Sequence, residues 1–348
     1  MIKKAVLTGG GRATRLRPIT STINKHLIPL AGKPMIFHAL EKVAKAGITE
    51  VFINTNPGES ELQKVVGNGS RWNITIEFFE QIGGPQGIAN VVKQAERFIK
   101  DDPFIFYLSD NIIAGEIDSL VTDFEHAKND CMLTLAKVPD PERFGVPYFD
   151  VIGNLIDAKE KPADPPNNFA ITGIYLFGPK LFFEAYKHIK KSERGEYEIP
   201  DIYSYLLKKG YSVGYKEITG WWKDTGKPDD LIKANAMLMD NMPVDFFDEQ
   251  DKKAGENNNF KNVIIKKPAI IGDNCELIDC SIGPHCTIGD RCKIVNAKIS
   301  NSIIFDNSCI ECDCELNNSI IGRFTVVCGG PCNKPHSLIV GDNALVEL

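Results

Sequence analysis

The run Gly9-Gly10-Gly11-Arg12-Ala13-Thr14-Arg15-Leu16-Arg17-Pro18 directly follows a short apolar stretch, Ala5–Thr8. Glycines at such a place let backbone N–H groups approach a phosphate, and the flanking cations neutralise it. Residues 1–40 contain Lys3, Lys4, Arg12, Arg15, Arg17, Lys25 and Lys33, and the first acid is Glu41. In a chain of net charge −6, an all-basic opening segment is a place for an anion. No Gly-Lys-Ser/Thr follows, so this is not a Walker loop, and the dinucleotide pattern G-x-G-x-x-G is incomplete. Asp110 stands just past the apolar run Phe104–Leu108, where open α/β sheets place their ligands. A second carboxylate, Asp224, lies in Trp221-Trp222-Lys223-Asp224-Thr225-Gly226. Each Asp alone could be a turn former or helix cap. Two carboxylates with a polyphosphate suit Mg2+, which takes few protein ligands and keeps substrate oxygens.

Positioning these groups requires a layered domain. Strands are expected at Ala5–Thr8, Val51–Asn54, Ile74–Phe78, Phe104–Leu108, Cys131–Val138, Gly173–Phe177 and Ser212–Ile218. Helices are expected at Pro34–Ala46, Gly87–Ile99, Pro179–Lys190 and Pro228–Asp240, from apolar spacing near 3.6 and from Pro and Gly at their ends. Alternating strands and helices imply an α/β domain. A length of 348 residues suits two domains, and 43% apolar with 25% charged residues excludes global disorder. No apolar run reaches the ~18 residues of a membrane span. The acidic balance argues against a nucleic-acid binder. Ten cysteines without an export signal suggest reduced thiols and a cytoplasmic protein.

Beyond the Asn-rich stretch Asp251–Asn259 helical periodicity stops. A branched residue recurs every six positions or so: Ile265, Ile271, Leu277, then Ile282, Ile288, Ile294, then Ile304, Ile310, Leu316. Such spacing marks a β-helix whose branched residues stack inward from coil to coil. Small residues fill the remaining inward slots: Ala269, Cys275, Ser281, Cys286, Cys292, Ser308, Cys314 and Thr325. Cysteine there acts as a small hydrophobe. That reading accounts for Cys309-x-x-Cys312-x-Cys314 better than a zinc site, which would want paired C-x-x-C knuckles.

With these motifs in order, the sequence resembles the sugar-1-phosphate nucleotidylyltransferases, most closely the long form of the glucose-1-phosphate thymidylyltransferases. The resemblance rests on Gly11–Pro18, Lys25-His26-Leu27-Ile28-Pro29, Gly32-Lys33-Pro34-Met35, Gly87-Ile88-Ala89 and Tyr107-Leu108-Ser109-Asp110-Asn111. It continues through Arg143-Phe144-Gly145-Val146, Glu160-Lys161-Pro162, Ile171-Thr172-Gly173-Ile174-Tyr175 and Arg194-Gly195-Glu196-Tyr197-Glu198-Ile199. It ends with Gly220–Pro228 and Val346-Glu347-Leu348. The implied fold is a Rossmann-like, mixed-sheet catalytic domain over 1–245, a linker over 246–261, and a short left-handed parallel β-helix of hexapeptide repeats over 262–348. Phe324–Leu348, which lacks the hexad, is expected to cap it.

The resemblance also implies roles. Arg15, Lys25 and Lys161 would be catalytic, with Arg15 and the loop on the triphosphate and Lys161 on the sugar phosphate. Gly10, Gly11, Arg15, His26, Gln81 and Gly87 would bind the nucleotide. Gly145, Glu160, Lys161, Thr172, Gly173, Glu196 and Trp222 would bind the sugar phosphate. Asp110 and Asp224 would hold Mg2+. The implied substrates are dTTP, or UTP, and glucose 1-phosphate, in a homo-oligomer without nucleic-acid or membrane partners.

Three residues depart from the family pattern. Ala13 stands where Gly is usual, and His26 where thymidylyl enzymes have Gln. Gln81 lies one residue further from Gly87 than usual. The alternatives are a uridylyltransferase, a bifunctional enzyme with an acetyltransferase tail, and a non-catalytic sugar-nucleotide-binding subunit. The repeat region, about 65 residues or three to four coils, is short for an acyl-CoA site, and His285 and His336 read as surface residues. Arg15, Lys25, Asp110 and Asp224 are all present, against the non-catalytic reading.

Overall fold

The computed structural model describes residues 1–84, 86–243, 246, 255–332 and 334–348. The chain forms two compact units, one of Met1–Gly11 with Ile36–Trp222, the other of Arg12–Met35 with Lys223–Leu348. The segment after the glycines, Arg12–Met35, groups with the C-terminal residues. The middle of the expected linker 246–261, at 247–254, lies outside the described residues.

In the first unit the described residues form a nine-stranded mixed sheet. Its path runs Leu155–Glu160, Gly145–Phe149, Phe169–Phe177, Phe104–Tyr107, Lys4–Thr8, Glu50–Thr55 and Thr75–Glu80. Cys131–Lys137 also pairs with Phe169–Phe177, and Val213–Glu217 with Cys131–Lys137. The four strands from Phe104–Tyr107 to Thr75–Glu80 are parallel, and Phe169–Phe177 runs against them. Apolar runs such as Phe-Ile-Phe-Tyr at 104–107 are buried along their whole length, as strands covered on both faces must be. Phe104 stacks on Phe177 at 5.4 Å and Phe177 on Tyr203 at 5.2 Å. Each such ring contributes about 1.5–3 kcal/mol by burial. The helix Met35–Lys45 ends before Gly47, whose φ of 82° suits a residue without Cβ.

Several elements differ from expectation. The helix expected over Gly87–Ile99 breaks at Ala95 into Ile88–Gln94 and Glu96–Ile99. Helices Glu61–Val66, Asp118–Ala127 and Ile199–Lys208, and the hairpin Gly145–Phe149 with Leu155–Glu160, lie outside the expected elements. The hairpin strands alternate too irregularly between apolar and polar residues to mark a strand from spacing alone.

The second unit holds three parallel sheets, of six, four and five strands among the described residues. Chain segments pair with their own continuation in steps of 16 to 19 residues, the arrangement of a β-helix. Leu277, Ile294, Ile310 and Val327 form one column of paired residues, and Ile271, Ile288, Ile304 and Ile321 another. All eight are buried. Of the small inward slots, Cys275, Cys286, Cys292, Ser308, Cys314 and Thr325 are buried, while Ala269 and Ser281 are half-buried.

The segment expected as a cap continues the coil instead, with Val326–Gly329, Ile339–Val340 and Leu345–Glu347 paired onto earlier strands. The step from Val326 to Leu345 is 19 residues, longer than the 16 or 17 of the preceding coils, and it conceals the last turn. The coil also starts earlier than expected, at Asn259–Lys261. The sulfurs of Cys312 and Cys314, two residues apart, meet side by side in the coil. His285 is half-buried rather than a free surface residue, with Nε2 2.8 Å from Asp240. Among the described residues no helix is long and apolar enough to cross a membrane.

Candidate active site

The glycine loop leaves the carboxyl end of Lys4–Thr8, beside the end of Glu50–Thr55. Asn54 Oδ1 accepts from Gly9 N at 3.0 Å, and Asn56 Oδ1 from Gly11 N at 2.8 Å. A Cβ on Gly10 would stand 2.8 Å from Asn54 Nδ2, so only glycine lets the loop lie this close to the strand end. Asn54 Nδ2 in turn donates to Gln81 Oε1 at 3.4 Å. Gly9, Gly10 and Gln81 are thus gathered around Asn54, and Gly11 is held by Asn56. Neither Asn54 nor Asn56 is among the residues that sequence reasoning singles out, although polar residues ending an apolar strand are a usable signal.

Asp110 follows Phe104–Tyr107 and accepts from Asn111 Nδ2 at 3.0 Å. Asn111 Oδ1 accepts from Trp222 Nε1 at 2.8 Å, and the Trp222 ring meets Phe144 edge-on at 5.2 Å. Gly173 packs against this loop: its Cβ would stand 2.7 Å from Leu108 and 2.8 Å from Asn111. The close approach comes from an irregularity between Ile171 and Tyr175 that shifts the register of the strand. Thr172 is fully buried there, with its hydroxyl engaged by Thr134, so its side chain serves the sheet.

The hairpin brings Gly145 opposite Glu160. A Cβ on Gly145 would stand 3.3 Å from Glu160 Oε2, so the glycine leaves that carboxylate open on one side. Lys161 Nζ lies 3.3 Å from Glu160 Oε1, and Arg194 reaches Glu160, Glu196 and Glu198 at 3.5, 3.3 and 2.8 Å. Burial pushes the Glu160 carboxyl up, and Glu198 adds to this, against Lys161 and Arg194. Arg194 and Glu198 belong to a motif that carries the resemblance, yet neither is among the expected site residues. Gly87, at φ 93°, meets the backbone of Tyr197 so closely that its Cβ would lie 2.4 Å from the carbonyl oxygen, and 3.0 Å from Glu196 Cβ. Gly87, Glu196, Glu160, Lys161 and Gly145 therefore belong to one region.

Arg15, Lys25, His26 and Asp224 lie in the second unit. Ala13 is left-handed at φ 43°, a conformation that glycine adopts without strain. Arg15 follows in the short turn Thr14–Leu16. A Cβ on Gly226 would stand 3.0 Å from Asp224 Oδ2 and 3.2 Å from the guanidinium of Arg15, so both groups face the same glycine. His26 is buried, and Asn24 Oδ1 accepts from its backbone N at 2.9 Å and its ring Nδ1 at 3.0 Å. Among the described residues no three His, Cys, Asp or Glu gather as a metal cage. Asp110, in the first unit, and Asp224, in the second, each carry hard carboxylate oxygens of the kind that suit a cation with few protein ligands.

The family model described as nucleotidyl transferase matches residues 4–241, and one described as the GMPPB C-terminal domain matches 259–347. A glucose-1-phosphate thymidylyltransferase of Streptomyces griseus is 33% identical over 99% of this chain and 99% of its own. The low-salt glycan biosynthesis nucleotidyltransferase Agl11 of Haloferax volcanii is 40% identical over 68% of this chain and 66% of its own. A Bacillus anthracis structure described as a glucose-1-phosphate thymidylyltransferase, in complex with sucrose, superposes with a TM-score of 0.64 at 36% identity. It covers 70% of this chain and 98% of its own.

Proposed function

Since the chain belongs to the nucleotidyl transferase family, we propose that its sugar-1-phosphate nucleotidyltransferase activity converts dTTP and glucose 1-phosphate into dTDP-glucose and pyrophosphate. An oxygen of the sugar phosphate attacks the α-phosphorus in line. A new P–O bond forms, the bond from the α-phosphorus to the bridging oxygen breaks, and pyrophosphate leaves. The attacking oxygen is already ionised, so catalysis is positioning and charge neutralisation. The observation that carries this reading is the convergence of Arg15 and Asp224 on Gly226, a cation and a carboxylate beside a glycine of small bulk.

Arg15 and the glycine loop at Gly10 and Gly11 hold the triphosphate, and Lys25 neutralises it during transfer. Gln81, Gly87 and His26 face the base. Glu160, Glu196, Gly145, Gly173 and Trp222 form the sugar side, with Lys161 on its phosphate. Asp110 and Asp224 would hold Mg2+. The ion, when bound, draws charge from the phosphate oxygens. The reading gives catalysis to 1–245 in a cytoplasmic homo-oligomer, and takes the coil over 262–348 as left-handed from the family resemblance. Incubation with glucose 1-phosphate, each triphosphate in turn and Mg2+ should release pyrophosphate. No release with any of them overturns the reading.

A thymine pocket gains only about 1–3 kcal/mol from one methyl group. The expected kcat/KM ratio of dTTP to UTP is therefore above one, with measurable use of UTP. His26→Gln raises that ratio if the ring faces the base. A wild-type ratio well below one replaces the thymidylyl assignment with a uridylyl one.

Glu160 supplies a pH test. Its raised carboxyl takes up a proton at higher pH than an ordinary Glu, and a protonated group no longer accepts from a sugar hydroxyl in the same way. From about pH 8 down to about pH 5, KM for glucose 1-phosphate should rise several-fold more in the wild type than in Glu160→Gln. The variant removes the titration of the phosphate itself from the comparison. Parallel profiles place Glu160 away from the sugar.

A further inference from the structure

The coil is held along one edge by a ladder of aspartates. Asp273 Oδ1 accepts from Glu256 N at 2.8 Å, Asp290 Oδ1 from Asp273 N at 2.9 Å, and Asp306 Oδ1 from Asp290 N at 3.1 Å. Asp342 Oδ1 does the same for Arg323 N at 2.7 Å. The fourth rung is the exception. Position 323, which should accept from Asp306 N, holds an arginine, and a guanidinium cannot accept.

A column of glycines runs beside this ladder. A Cβ on Gly272, Gly289 or Gly322 would collide with the backbone of the following coil. On Gly341, where no further coil follows, it would stand 2.8 Å from the carbonyl oxygen of Pro18. Pro18 therefore lies where the next rung would be. Around it, Thr22 Oγ1 donates to Asp342 Oδ2 at 2.8 Å, Arg323 Nε donates to the same oxygen at 2.9 Å, and Arg323 Nη2 lies 3.5 Å from Thr22 O. The Asp342 side chain is only 4% exposed, so its charge is compensated almost wholly by these partners.

The strapped segment carries Arg15. Leu16 N donates to Ala13 O at 3.0 Å, Ser21 N to Pro18 O at 3.1 Å, and Thr20 Oγ1 to Ala13 O at 2.8 Å. These bonds make 13–22 one tied turn, so fixing Pro18 and Thr22 fixes the backbone from which Arg15 projects. We propose that the Arg323–Asp342 rung is a positioning device for the nucleotide loop, and that Arg323 occupies an aspartate slot of the coil for that task. The inference rests on the reading of Arg15 as a triphosphate contact.

The discriminating variant is Arg323→Asp in the full chain. It restores an acceptor for Asp306 N but removes both the arm to Thr22 and the cation beside the buried Asp342 carboxylate, so the loop loosens and the melting temperature falls with it. Hydrogen exchange of residues 12–24 should speed up, and kcat/KM for the triphosphate should fall about tenfold, with KM for glucose 1-phosphate unchanged. Arg323→Lys, which keeps the charge but not the fork, should recover part of the loss. Wild-type exchange and wild-type triphosphate constants in folded Arg323→Asp overturn the proposal. Should that variant fail to fold, Thr22→Val takes its place. Faster exchange with a lower kcat/KM for the triphosphate then supports the positioning role, and wild-type values of both overturn it. Exchange is measured without turnover, so a wild type that releases no pyrophosphate defeats the functional reading while the positioning of the loop is still decided.

Discussion

Arg15→Ala lowers kcat by about 10²–10³, the scale of losing one preorganised charge contact to a transition state. The loss falls on turnover because negative charge shifts onto the departing pyrophosphate as the bond to the α-phosphorus breaks. Arg15→Lys recovers only part of it, since an ammonium cannot give two parallel bonds to phosphate oxygens. The measurement is pyrophosphate release at saturating substrates. Turnover equal to wild type would make the basic loop a structural turn and nothing more.

Asp110→Ala should lower kcat by about 10³, equivalent to about 4 kcal/mol of lost charge stabilisation. Asp110→Asn should lower it nearly as far, because an amide keeps the partnership with Asn111 and loses the charge. Chelation of divalent ions should bring the wild type to background, and Mg2+ should restore it. A kcat for Asp110→Asn close to wild type, at all Mg2+ concentrations, would remove Asp110 from metal holding. The same pair of substitutions at Asp224 tests its half of the assignment.

Those residues are legible in the sequence because local rules place them. A buried strand followed by a polar residue is read from neighbours alone, and so are the glycine loop and Asp110. Pro228–Asp240 matches its expected bounds to the residue, since proline in its first turn and Asp229 and Asp230 beside it leave little freedom for the start. The columns of the coil are likewise visible, because each residue repeats at a fixed interval. Contacts between distant residues are not. Nothing in the spacing of Asn54 and Asn56 says that both side chains turn back onto the glycine loop. Thr172 matches a motif, yet its hydroxyl is taken by Thr134 across the sheet. Arg194 joins Glu160, Glu196 and Glu198 only once a hairpin has been formed. One irregular insertion hides the last turn of the coil, and with it the rung that meets Pro18.

Repeat architectures normally change length with ease, because duplicating one repeat leaves every neighbour interface intact. Here the Pro18 carbonyl lies against Gly341, so that freedom ends at this end of the coil. Adding one turn between Gly322 and Gly341 would carry the terminal rung about 4.8 Å along the axis, the spacing between paired strands. Asp342 would then leave Thr22 behind, and the loop bearing Arg15 would lose its support without any change in its own sequence. The number of turns thus acts as a ruler. Descendants of this chain can vary the surface of the coil freely, but its length is set by the chemistry at the other end of the sequence.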